Sequence, residues 1–131
     1  MGSVKKVLVC VTVQKTCERL IRKGANIRDE IEGELLVIHV AASGANFLGN
    51  ISEADALEYL FSISKSAGAD LTVLRSDDVI KTIIQFAKEN KITNVVLGEP
   101  PDGRSNTIVN ELKRKLEFAD IYIMPAKDTI D

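Results

Sequence analysis

Five short apolar runs, separated by four stretches of helical periodicity, constrain this chain more than any other feature. Val7-Leu8-Val9-Cys10-Val11 is continuous and rich in β-branched residues. A half-exposed strand would alternate apolar and polar residues, so an unbroken run reads as a strand covered on both faces. Leu35 to Val40, Leu71 to Leu74, Ile92 to Leu97 and Ile121 to Met124 repeat the pattern. In the first intervening stretch Cys17, Leu20, Ile21, Ala25, Arg28 and Ile31 fall mostly three and four apart, with Gly33 as the stop. Ser52, with Asp55 three residues on, resembles a capping box. It opens a second helix whose expected inner stripe is Ala54, Leu57, Leu60, Phe61, Ser64 and Ala67, closed by Gly68. Ser76 is the expected N-cap of the third, with Asp77 and Asp78 in the first turn facing the positive end of the helix dipole. Val79, Ile80, Ile83, Ile84 and Ala87 carry the helical period there. Glu99 to Arg104 holds two prolines and a glycine and reads as a loop. Ser105 or Asn106 then caps a fourth helix with Ile108, Val109, Leu112 and Leu116 inward. Pro125 stops the last strand.

The order is βαβαβαβαβ, and it predicts the α/β class. Residues 4–125 form one three-layer domain, a five-stranded parallel sheet with helices on both faces, Rossmann-like or flavodoxin-like. Residues 126–131 are a polar tail. The length of 131 residues suits one domain. A hydrophobic share of 45% with 27% charged residues excludes disorder. The net charge of −2 argues against a nucleic-acid partner. No apolar run approaches the roughly 20 residues of a membrane span, and the N-terminus lacks the pattern of a signal peptide. Two cysteines, Cys10 and Cys17, have neither metal nor redox spacing and are expected as reduced thiols in a cytoplasmic protein.

Ligands of open parallel sheets bind beyond the carboxyl ends of the strands, where the strand order reverses. The segments that reach this edge are Thr12, Val13 and Gln14 after strand one, Val40 and Ala41 ending strand two, and the loop from Gly98 after strand four. In that loop Gly98 and Gly103 permit close backbone approach, and Arg104 supplies a cation. Ser105, Asn106 and Thr107 offer polar groups at a helix N-terminus, which together make a workable anion site. No dinucleotide glycine fingerprint and no Walker sequence is present. His39, the single histidine, has no acidic or cysteine cluster beside it in the sequence, so no metal site and no catalytic set is expected. A phosphoacceptor receiver domain is excluded, since Thr12-Val13-Gln14 and Arg75-Ser76 stand where its acidic residues would be. Lys113-Arg114-Lys115 is expected in a last helical turn, suited to the dipole there.

Three stretches carry a resemblance over residues 4–125. They are Val7 to Val11 followed by Glu18-Arg19-Leu20-Ile21-Arg22-Lys23-Gly24, Glu34 to Val40, and Val95-Val96-Leu97-Gly98. In these the chain resembles the universal stress protein family, and within it the universal-stress-like domain of Kdp-type potassium-sensor histidine kinases. The resemblance implies a universal stress protein fold of the adenine-nucleotide alpha-hydrolase-like type. It also implies a non-catalytic regulatory role tied to potassium or osmotic sensing, and a homodimer formed through the last strand. A small anionic ligand or a protein partner such as a sensor kinase would bind it. Any kinase activity would lie outside this domain. Adenine nucleotides and cyclic di-AMP are the ligands the family suggests. Nucleotide-binding members carry a glycine motif after strand four and an aspartate after strand one. Here Pro101 takes the place of the second glycine, and Val13 and Gln14 that of the aspartate. Proline fixes φ and lacks an N–H, so ATP is expected to bind no tighter than roughly millimolar, about 4 kcal/mol.

Overall fold

A computed structural model describes residues 4–11, 17–41, 51–98 and 105–124. The elements are β1 (Lys6–Cys10), α1 (Cys17–Ile31), β2 (Glu34–Ala41), α2 (Ile51–Ser66), β3 (Asp70–Arg75), α3 (Val79–Glu89), β4 (Asn94–Gly98), α4 (Ser105–Lys115) and β5 (Asp120–Met124). All strand pairs are parallel, and the sheet order is β3-β2-β1-β4-β5. That order is Rossmann-like and decides between the two topologies left open by the alternation.

The strand pleat divides the core in two. Val7, Val9 and Val11 lie with Leu20, Ile21 and Ile27 of α1 and Leu60 of α2. Leu8, between them, joins Ile83 and Ala87 of α3, Leu112 of α4 and Leu116 just beyond it on the opposite face. Successive residues of β1 thus serve opposite layers, which is why its sequence is apolar without alternation. On α1, Gly24 lies so close to the sheet that a Cβ would collide with the Val9 and Leu35 side chains.

Helix ends differ in detail from the sequence expectation. Asp78, and not Ser76, is the N-cap of α3: its carboxylate accepts from the Lys81 N–H at 3.0 Å. The Ser76 hydroxyl instead accepts from the Asp78 N–H at 3.1 Å, in the turn before the helix. Both residues are good caps, and the position three residues before Lys81 selects the aspartate. Asp78→Ala should therefore cost about 1 kcal/mol, and Ser76→Ala less, read as shifts of the urea midpoint. At the end of α1 the left-handed residue is Glu32 (φ 54°) and not Gly33. Gly33 is needed for space, since a Cβ there would run into the Lys5 carbonyl. Gly68, with φ 76°, does end α2 as expected. Arg28, an anomaly in the apolar stripe, donates to the Ala67 carbonyl and so ties α1 to the end of α2.

One core assignment is corrected. Phe61 is 55% exposed, whereas Leu60 and Ser64 are fully buried. Phe61 lies 100° around the helix from Leu60, and α2 is apolar on several sides, so periodicity alone could not orient it. Asp55 of the expected capping pair is exposed, while the side chains of Ser52, the stripe residue Ala54, and Ile108 and Val109 of α4 lie outside what is described.

Candidate functional site

The strand order reverses between β1 and β4, and the hydrogen-bond ladders show how that edge is built. β1 pairs with β2 from Lys6↔Glu34 as far as Cys10↔Ile38. One further bond follows, from the Val11 N–H to the Ile38 carbonyl at 3.0 Å. With β4 the pairing runs only from Val7↔Asn94 to Val9↔Val96. At the carboxyl edge β1 therefore stays with β2 and parts from β4, which itself remains paired with β5 up to Gly98↔Met124. This is the place where open α/β sheets receive ligands.

Of the expected site residues, Val40 is half-buried on the α3/α4 face, and Ala41 ends β2. Gly98 ends β4, where among the described residues the nearest neighbour of a Cβ would be the Leu20 side chain, at 3.4 Å and beyond. Ser105, Asn106 and Thr107 form the first turn of α4, which starts on the carboxyl side of the sheet. Thr12, Val13, Gln14, Gly103 and Arg104 lie outside the described residues, as does Pro101. The fold thus brings the ends of β1, β2 and β4 and the start of α4 to one edge.

His39, for which the sequence offered no acidic or cysteine cluster, stands near the carboxyl end of β2. It is 5% exposed, and its Nδ1 lies 3.1 Å from the Val11 carbonyl oxygen. Its partner is a backbone atom 28 residues away. Side-chain patterning carries no signal for such a contact.

A second feature lies on the helical layer. Between α1 and α2 is a cavity of about 440 Å³ with Ile21, Ala25, Ile63 and Ala67 in its lining. At its rim Glu18 accepts from Arg22 at 2.6 Å and from the Tyr59 hydroxyl at 3.0 Å. That bond to Glu18 pushes the Tyr59 phenol above its ordinary pKa. The i,i+4 spacing of Glu18 and Arg22 was visible in the sequence, but the tyrosine from α2 was not.

The thiols give no support to redox chemistry. Burial pushes the Cys10 thiol up to about 12, and burial followed by the Glu18 charge raises Cys17. A thiol held protonated near neutrality is a poor nucleophile. Among the described residues no group of three metal-ligating side chains occurs, and no helix is long and apolar enough to cross a membrane.

In sequence the chain is similar to sensor proteins. It is 29% identical over 125 residues to a putative sensor protein KdpD of Synechocystis sp., covering 92% of this chain and 33% of that protein. It is 31% identical over 100 residues to the sensor protein KdpD of Mycobacterium tuberculosis, covering 72% of this chain and 11% of that one. The chain thus spans a third or less of the length of these relatives. No family model matches it. Among solved structures, a universal stress protein in complex with cAMP superposes with a TM-score of 0.69 at 12% identity, covering 94% of this chain and 98% of the other. The chain has the universal stress protein fold. The Archaeoglobus fulgidus universal stress protein in complex with dAMP gives 0.63 at 21% identity, covering 97% and 100%. The AMP-bound universal stress family protein of Arabidopsis thaliana gives 0.62 at 16% identity, covering 96% and 94%. The universal stress protein fold and the likeness to KdpD sensors, both read from the sequence, are borne out.

Proposed function

We propose that this chain is a non-catalytic regulatory domain of the universal stress protein type. It binds an adenine nucleotide or a related small anion at the carboxyl edge of the sheet and passes that state to a sensor kinase or other protein partner. The parting of β1 from β4 at the switch point carries this reading, since it opens the sheet where the α4 N-terminus arrives. The cAMP, dAMP and AMP complexes of proteins of the same fold support the ligand class, and the likeness to KdpD sensor proteins supports a sensing role; the potassium or osmotic signal is what the family resemblance suggests. Thr12, Val13, Gln14, Val40, Ala41, Gly98, Gly103, Arg104, Ser105, Asn106 and Thr107 form the proposed site. Cyclic di-AMP is a second candidate on the same chemistry, and the compartment in this reading is the cytoplasm.

A calorimetric titration with AMP, dAMP, ATP and cyclic di-AMP tests the reading. Arg104→Ala should weaken the tightest of these by about 1.5–3 kcal/mol, the range for hydrogen bonds to charged groups. Stability should move by no more than about 0.5 kcal/mol, as for other surface substitutions. If all four nucleotides fail to bind at millimolar concentration, the nucleotide reading falls.

The partner surface in this reading is the β5 edge. Among the described residues β5 has a neighbour on one side only, and Tyr122 on it is 48% exposed with Lys23 Nζ 4.5 Å from its ring centroid. Ile121 and Ile123 pack against the α3/α4 core, so the edge offers backbone groups and one aromatic ring. An uncovered edge of this kind invites pairing. Light scattering should report a homodimer at high micromolar concentration and a monomer for Tyr122→Glu. A monomeric parent protein would rule this surface out.

A further inference from the structure

Helices α3 and α4 cover one face of the sheet, and a cleft of about 370 Å³ lies between them. Both helices return from the carboxyl to the amino edge, as parallel crossovers require. Lys88 and Lys115, each in a last turn, therefore flank the same end of the cleft. Lys81 stands seven residues before Lys88 on α3, about 10 Å along the axis at 1.5 Å per residue. All three lysines are exposed. Ile80 and Ile84 are half-buried and turn part of their surface into the cleft. Two carboxylates share it. That of Asp78 accepts from the Lys81 N–H as the N-cap of α3, and that of Glu111 lies one turn before Lys115 on the opposite wall. In a chain whose net charge is −2, the cleft reverses the sign locally. It is cationic at two levels two helical turns apart, apolar beside them, and anionic at one point on α4.

We propose that this cleft is the docking site for an acidic amphipathic helix of a protein partner. Carboxylates seven residues apart on that helix meet Lys81 at one level and Lys88 with Lys115 at the other. An apolar side chain between them rests on Ile80 and Ile84. The spacing matches because a helix laid along α3 repeats with the same pitch. A row of nucleic-acid phosphates or a sheet of anionic headgroups fits less well, since either presses negative charge onto Glu111 and leaves the isoleucines unused. The surface lies on the helical layer, distinct from the β5 edge, and needs no bound nucleotide.

The test uses the whole chain and a fluorescein-labelled synthetic helix with two glutamates seven residues apart and a leucine between them. Anisotropy at low ionic strength should show saturable binding that added salt weakens. Charge reversal replaces attraction by repulsion, so Lys88→Glu and Lys115→Glu should each weaken it about tenfold, with far-ultraviolet dichroism unchanged. Lys65→Glu makes the same change of charge at an exposed residue of α2, on the opposite face of the sheet. It should leave the affinity within about twofold, since a distant surface charge is screened. Alanine in place of the peptide's leucine should weaken binding too, because the isoleucines then lose their partner. A peptide that fails to bind at millimolar concentration overturns the proposal, and so does an equal loss in Lys65→Glu. So does indifference to the leucine. Phosphatidylglycerol vesicles bound in preference to the peptide, and released by Lys88→Glu, would make this a lipid-facing surface and overturn it as well.

Discussion

Leu8→Ala should lower the unfolding free energy by about 2–5 kcal/mol, the range for deleting a buried leucine side chain. Leu8 is fully buried on the central strand, pairing with Leu36 on one side and Val95 on the other. Its side chain enters the core shared with Ile92, Leu112 and Leu116, all of them buried. Two flanking ladders hold its backbone in place, so the site has little freedom to collapse around the void. For a domain of this size the melting temperature should fall on the order of 10 °C. A urea titration gives the energy directly, with an unchanged slope showing that the compact state is the same. A loss below about 1 kcal/mol would contradict the packing described for this strand.

Gly24→Val is the second large effect, and it acts by crowding. A Cβ at position 24 would collide with the Val9 side chain and reach 3.0 Å from the Leu35 one. Both partners are buried β-branched or branched residues of the central sheet, with no room to swing away. The helix must lift, and overpacking of this kind costs typically about 1–3 kcal/mol, with valine at or above the upper end. The effect has a direction that helix propensity alone would not give, since glycine to a larger residue normally helps a helix interior. Gly24→Ala should show the same sign at smaller size in the same titration. A stabilised Gly24→Ala would mean that α1 does not sit this close to β1.

The fold was legible because burial on both sheet faces leaves a simple mark. Runs such as Val7 to Val11 and Val95 to Leu97 have no polar residue to confuse with a turn, and all five strands and four helices follow. The strand order did not follow from the runs, because both doubly wound topologies share one alternation. It needed the pairing of β1 with β4. Residues with two competing roles were read less well. Ser76 and Asp78 are both caps by chemistry, and only the position of the Lys81 N–H separates them. Phe61 was expected inward and lies outward, because apolar residues occur on several sides of α2. The candidate edge was legible as a place, from the rule about carboxyl ends, but its wiring was not. His39 meets Val11 through a bond between a side chain and a backbone carbonyl, which leaves no pattern in the spacing of residues.

The core of this protein is aliphatic. Its fully buried large side chains are leucine, isoleucine and valine, while Tyr59 is 46% exposed and Tyr122 sits at the sheet edge. There is no tryptophan, and these are the two tyrosines of the chain. Intrinsic emission therefore originates at the surface: one fluorophore bonded to the Glu18 carboxylate beside the α1–α2 cavity, the other under the Lys23 ammonium on β5. Tyrosine fluorescence should respond to whatever settles on those two places, while far-ultraviolet dichroism follows the loss of helix and strand. The two optical signals separate docking from denaturation without an added label.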